Sequence, residues 1–98
     1  MLESYLSAVS LVEVIYLVEK NKLPSRALER MTEALHLPNA ALVAVPVTVD
    51  ICETLVLIRR SDVPDMPDRI IAATALHLDL PLITRDRKIH ASQIRSIW

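Results

Sequence analysis

A chain of 98 residues can bury one hydrophobic core, so we expect a single domain over residues 1–98. Hydrophobic residues make up 52% of the chain but Phe is absent, which predicts an aliphatic core, and the net charge of −1 gives no overall basic footprint for nucleic acid. No apolar run reaches the roughly 18 residues of a membrane-spanning helix, and a single cysteine, Cys52, excludes an internal disulfide and fits the cytoplasm.

The first predicted helix runs from Ser10 to about Lys20. Ser10 and Glu13 have the spacing of a capping box, in which Ser10 is the N-cap and Glu13 bonds back to it in the first turn. Apolar residues then occur on nearly every side of the helix, which indicates that it is buried or lies at an interface.

The middle of the chain predicts a helix, a strand and a second helix. The first begins at a Ser25 cap and ends at Leu35 or His36, with one apolar face. The strand is Ala41–Val47, which Pro46 must end or place at an edge. Thr48 then caps a helix over Val49–Ile58, whose inward positions are Ile51, Cys52, Leu55 and Ile58.

The last third predicts four further elements. Pro67 opens a helix over Asp68–Leu78, and Leu80–Thr84 follows as a strand. Arg87–Ala91 is a single helical turn and Ile94–Trp98 a closing strand. Because helices alternate with short apolar strands, the chain is predicted to be an α/β protein with a parallel sheet.

Three carboxylates follow from this pattern as candidate site residues. Asp86 comes two residues after a strand, Asp68 lies in the first turn of the preceding helix, and Glu13 lies near the start of the first helix. Ligands of parallel α/β sheets bind where strand ends and helix starts meet. Clustered carboxylate oxygens bind Mg²⁺ or Mn²⁺, and such a metal can activate water for phosphodiester hydrolysis.

Each acid also has a purely structural interpretation, and spacing alone does not choose between the two. Glu13 can serve only the capping box, Asp68 can stabilise the start of a helix through the helix dipole, and Asp86 can cap the turn that follows it. Asp65 is better explained as an N-cap or loop residue.

Two segments of the chain resemble a known family. DRIIAATALHLDLPLITRD resembles the carboxy-terminal signature of PIN domains of the VapC toxin type, in which an aspartate opens an Ile-Ala-Ala-x-Ala helix and another ends the sequence Thr-Arg-Asp. SAVSLVEVIYLVEK resembles the family's Ser-x-x-Glu helix. The resemblance extends from about Ser7 to Trp98, and it matches Glu13, Asp68 and Asp86 to family acids and Thr84 to a threonine beside the site.

The resemblance implies a three-layer fold, with a short parallel sheet flanked by helices, and a ribonuclease activity. Glu13, Asp68 and Asp86 would be catalytic and would bind Mg²⁺ or Mn²⁺. The RNA substrate would be contacted near Thr84 by the basic residues Arg85, Arg87 and Lys88, and an antitoxin protein would be a partner.

Two departures from the family qualify this expectation. The family's sheet begins with a central strand that ends in an aspartate, and no counterpart precedes Glu3. The sequence thus predicts an N-terminally incomplete domain with open sheet edges, which would associate as a homodimer or larger oligomer. The alternative to a nuclease of reduced activity is an inactive module that acts through oligomerisation or partner binding. The second departure is Asp79, which replaces a frequent glycine in a turn.

Overall fold

The computed structural model describes residues 4–38, 42–80, 82–83 and 96–97, and it has the α/β fold predicted from the sequence. Its elements in chain order are β1 (Ser4–Ser7), α1 (Ala8–Glu19), α2 (Ser25–His36), β2 (Leu42–Val45), α3 (Val49–Thr54), a 3₁₀ helix (Leu55–Leu57), α4 (Met66–Leu78), β3 (Leu82–Ile83) and β4 (Ser96–Ile97). Among these described helices, none has the length and apolar character needed to cross a membrane.

The sheet is parallel, and its strand order is β2-β1-β3-β4. β1 pairs with β2 along its whole length, from Ser4 opposite Leu42 to Ser7 opposite Val45. On its other side, in the part of the chain that the structure describes, it pairs with β3 through Tyr5 and Leu82. No strand is predicted at Ser4–Ser7 from the sequence, and open edges are expected at the centre of the sheet. Within the described residues β1 instead has a neighbour on each side.

The start of α1 differs from the prediction. Ser7 is the N-cap, and its Oγ accepts a hydrogen bond from the amide of Val9 at 3.2 Å. Ser10 therefore lies inside the helix, and the capping box of Ser10 with Glu13 is wrong. The physical reason is that β1 ends at Ser7 and the helix begins at the next residue, so the buried strand end supplies the cap.

α1 is predicted to be buried or to lie at an interface, and the described part of the chain does not bury it. No residue of α1 is fully buried, and Val12 and Tyr16 are 61% and 55% exposed. The helix contacts α2 and α4 on its other sides. Part of its apolar surface is therefore left exposed by the described part of the chain.

The predicted caps of the two middle helices have different outcomes. Thr48 caps α3, because its Oγ1 accepts from the amide of Ile51 at 3.2 Å. Ser25 is not a cap: it is the first residue of α2, and Pro24 precedes it without a side-chain cap bond. Cys52 is exposed, so its predicted inward position is wrong, whereas Ile51 is buried as predicted.

The core is centred on α4. Five consecutive residues of this helix, Ile71–Ala75, are buried, and they pack with Leu82 of β3 and with apolar residues of the α3 region. The small side chains of Ala72 and Ala73, which are 0% exposed, allow a close approach of neighbouring elements. The predicted strands at Leu80–Thr84 and Ile94–Trp98 correspond to β3 and β4, and the predicted turn over 87–91 lies outside the described residues.

The absence of glycine places other residues in left-handed backbone conformations. Asn21 has φ 58° after α1, and Asp79 has φ 51° after α4. Both follow the carboxyl end of a helix, where glycine is the common choice. From the sequence we expect a backbone cost at Asp79 if its turn needs positive φ, and the φ of Asp79 meets that condition.

Candidate metal site between two helices

Asp68 lies where the sequence predicts it, in the first turn of α4. Pro67 also lies in this turn, where its fixed φ suits a helix start and its missing N–H removes no helical hydrogen bond. The side chain of Asp68 is half-buried. Asp65, at the N-cap, is exposed and makes no side-chain capping bond.

Glu13 lies deeper in its helix than the sequence predicts. Because α1 begins at Ala8, Glu13 is in the second turn and not the first. Its side chain is half-buried. The capping role that served as its structural interpretation is therefore excluded, since a residue in the second turn does not bond back to an N-cap at Ser7.

The two acids belong to neighbouring elements. α1 and α4 contact each other, and both contact β1. α1 follows β1 without a loop, so the first turns of this helix lie at the carboxyl end of an inner strand of the sheet. This is the edge at which parallel α/β sheets bind ligands.

The remaining predicted site residues lie outside the described part of the chain. These are the third acid, Asp86, and the predicted substrate contacts Thr84, Arg85, Arg87 and Lys88. Within the described ranges, no group of three or more His, Cys, Asp or Glu residues is arranged to hold a metal ion. The described structure thus contains two of the three predicted ligands, on adjoining helices.

The chemistry of this donor set fits a small divalent cation. Carboxylate oxygens are hard ligands that suit Mg²⁺ and Mn²⁺. Mg²⁺ commonly retains several waters and binds through one or two carboxylates together with phosphate oxygens of a substrate. Glu13 and Asp68 would hold such an ion, and Asp86 is the further predicted ligand.

One residue beside the site is not singled out by the sequence analysis. Arg69 follows Asp68, and its Nη2 donates to the carbonyl oxygens of Leu55 at 3.2 Å and Ile58 at 3.0 Å. An arginine in the first turns of a helix gives no sequence signal, because its usual place is the solvated face. The signal is available only once the 3₁₀ helix and α4 are seen in contact.

Comparisons with known proteins agree with this architecture. The PIN domain family matches residues 2–93, a range that includes the carboxy-terminal segment with Asp86. A solved structure described as a toxin–antitoxin complex from Klebsiella pneumoniae is similar at 26% sequence identity and a TM-score of 0.68. The similarity covers 100% of this chain and 75% of that one. The comparison with curated proteins gave no match.

Proposed function

The chain belongs to the PIN domain family, and from this premise we propose that it is a metal-dependent endoribonuclease of the VapC type, the toxin of a toxin–antitoxin pair. The observation that carries the proposal is the placement of Glu13 and Asp68 on two contacting helices, α1 and α4, at the ligand-binding edge of the sheet. Both acids are half-buried, and a cation bound by the two carboxylates would lie where these helices meet.

In the proposed site Glu13, Asp68 and Asp86 hold Mg²⁺ or Mn²⁺. When bound, the metal lowers the pKa of a water ligand and polarises a phosphoryl oxygen. The protein's own contribution is to fix the carboxylates on rigid helices, so that a phosphodiester approaching this edge meets a fixed set of oxygen ligands. Arg85, Arg87 and Lys88 would neutralise neighbouring phosphates of the RNA, with Thr84 beside them.

The proposed partner is an antitoxin protein. The similar solved structure from Klebsiella pneumoniae is described as a toxin–antitoxin complex, and its chain is 26% identical to this one. The exposed apolar residues of α1, Val12 and Tyr16, offer one described surface for a protein partner.

Cleavage of RNA in the presence of Mg²⁺ or Mn²⁺ tests the catalytic proposal. We expect Asp68→Asn and Glu13→Gln each to lower the cleavage rate by about a hundredfold or more, because the metal's contribution to the transition state amounts to several kcal/mol. Asp86→Asn should have the same effect.

Asp65→Asn is the matched control. It removes the same charge three residues before Asp68, from a side chain that is exposed and makes no capping bond. Its rate should stay within about twofold of the parent, as for a surface change away from the chemistry. Equal rates for the parent, Asp68→Asn and Glu13→Gln would remove the catalytic assignment.

The second candidate is a PIN-like module without catalysis that acts through oligomerisation or partner binding. Two observations favour it: the described residues contain no three-ligand group, and α1 exposes Val12, Ile15 and Tyr16. This candidate predicts that Mn²⁺ does not raise the melting temperature of the protein, whereas the nuclease predicts a rise, because a ligand that binds only the folded state stabilises it.

A further inference from the structure

We propose that Arg69 is a positioning residue for Asp68: its guanidinium holds the first turns of α4 against the carboxyl end of the 3₁₀ helix. The inference deepens the proposed function and rests on it for the role of Asp68. The anchoring of α4 by the side chain of Arg69 rests on hydrogen bonds of the described structure alone.

The acceptors of Arg69 lie at a helix end. α3 continues directly into the 3₁₀ helix, which ends at Leu57, and the carbonyl oxygens of Leu55 and Ile58 lie at this terminus. Carbonyl groups at a carboxyl terminus carry partial negative charge, and the carbonyl of Leu55 also accepts a hydrogen bond from the backbone amide of Ile58 at 3.0 Å. A guanidinium suits this position because one planar group directs several N–H donors at fixed angles. A single nitrogen, Nη2, reaches both carbonyls.

The N-cap residue of α4, Asp65, supplies no side-chain hydrogen bond to the start of the helix. The first helical hydrogen bond is donated by the backbone amide of Arg69 to the carbonyl of Asp65 at 3.0 Å. Arg69 therefore contributes both its backbone and its side chain to the place where α4 begins.

Within the described structure, the guanidinium of Arg69 has one buried N–H group without a hydrogen bond, which costs free energy and indicates that its position is constrained. The Nε of Arg69 is buried and has no hydrogen-bond partner among the described residues. A buried donor without a partner loses its hydration without compensation. The arginine keeps this arrangement because its two bonds to Leu55 and Ile58 fix its position between the two elements.

Fixing Arg69 also fixes Asp68. Consecutive Cα atoms are about 3.8 Å apart, so the backbone that carries the carboxylate of Asp68 moves with the turn that Arg69 anchors. Groups that hydrogen-bond a metal ligand directly change metal affinity by about 10–100-fold when they are removed. Arg69 acts through the backbone, so we expect an effect at the lower end of this range.

Arg69→Met tests the inference, because it keeps most of the apolar stem and removes the donors. Ile71→Val is the matched control: Ile71 is 2% exposed in the same helix, and its truncation weakens the core without touching the first turn. Amide hydrogen exchange in the metal-free protein is the first measurement. We expect exchange at residues 69 and 70, corrected for intrinsic rates, to accelerate by about tenfold more than at Ala75 and Leu76. In Ile71→Val all four amides should change together.

Calorimetric titration with Mn²⁺ is the second measurement. Arg69→Met should weaken binding by about tenfold, and Ile71→Val should bind as the parent does. If Arg69→Met does not fold, Arg69→Lys replaces it, with the same directions and an effect of about threefold, because an ammonium lacks the planar fork.

Two results would overturn the inference. One is uniform exchange along α4 in the Arg69 variant, and the other is unchanged Mn²⁺ affinity in this variant while Asp68→Asn loses it. If the parent itself binds no Mn²⁺, the proposed function fails, and the exchange rates at residues 69 and 70 still decide whether Arg69 sets the start of α4.

Discussion

At the scale of single residues, the two serines near the start of α1 have different roles. Ser7 is 0% exposed and caps the helix through the amide of Val9, whereas Ser10 lies within the first turns. Both precede an apolar run, and only Ser10 has a glutamate at the capping-box distance. Sequence spacing therefore selects the wrong serine, because the choice depends on where the preceding strand ends.

Replacement of each serine by alanine separates these roles. Ser7→Ala should lower the free energy of unfolding by about 1 kcal/mol, which is the usual cost of losing an N-cap. Ser10→Ala should change it by less than about 0.5 kcal/mol, because alanine is favourable inside a helix. Urea denaturation followed by circular dichroism measures both. A larger loss for Ser10→Ala than for Ser7→Ala would restore the capping box and move the start of α1.

At the scale of secondary structure elements, the sequence predicts those helices and strands that have a local sequence pattern. α2, α3 and α4 are found because their apolar periodicity and the signals of Thr48 and Pro67 agree. β1 is missed because Ser4–Ser7 has only two apolar residues, and its extended conformation depends on pairing with β2. A short segment with few apolar residues does not show in its own sequence that it pairs with a strand distant in the chain.

Leucine truncations test the packing of β3 against α4. Leu82 in β3 is 0% exposed and belongs to the core, whereas Leu76 in α4 is 44% exposed. Leu82→Ala should cost about 2–5 kcal/mol of stability, as expected for a buried leucine. Leu76→Ala, the same substitution at an exposed site, should cost less than about 1 kcal/mol. Thermal or urea unfolding compares them, and similar losses would mean that β3 is not part of the core.

At the scale of the whole molecule, α1 links the fold to its surroundings. One side contacts α2, α4 and β1, and the other presents Val12, Ile15 and Tyr16 to solvent. Nearly uniform apolarity around a helix predicts burial or an interface, and the described chain supplies no cover for this side. We therefore expect the protein to self-associate, although β1 has neighbours on both sides.

Sedimentation velocity measures this expectation. The parent should sediment as a dimer or larger species, and Val12→Lys combined with Tyr16→Glu should shift it towards the monomer by placing charges in an apolar contact. Val56→Lys is the control, since Val56 is 83% exposed on the 3₁₀ helix and lies on a different element. A stable monomer for the parent would contradict self-association.

The candidate site depends both on local sequence signals and on contacts between elements distant in the sequence. Asp68 follows from local signals at the start of α4, and the structure confirms its place in the first turn. The proximity of the helices that carry Glu13 and Asp68 is a property of the whole fold, since the two acids are separated by most of the chain. The alternation of helices and strands predicts that both helix starts lie at the ligand-binding edge of the sheet, and the family resemblance adds that both acids belong to one site.

The central claim is that Glu13 and Asp68 hold one divalent cation between α1 and α4. Calorimetric titration with Mn²⁺ of the parent, Glu13→Gln, Asp68→Asn and the double variant tests it most directly. The parent should bind Mn²⁺, and the affinity of each single variant should be lower by on the order of tenfold or more, because affinity depends on the number of ligating charges. The double variant should lose less binding free energy than the sum of the two single losses, as expected for residues that share one ligand. Absence of binding by the parent, or equal affinity in all four proteins, would contradict the claim.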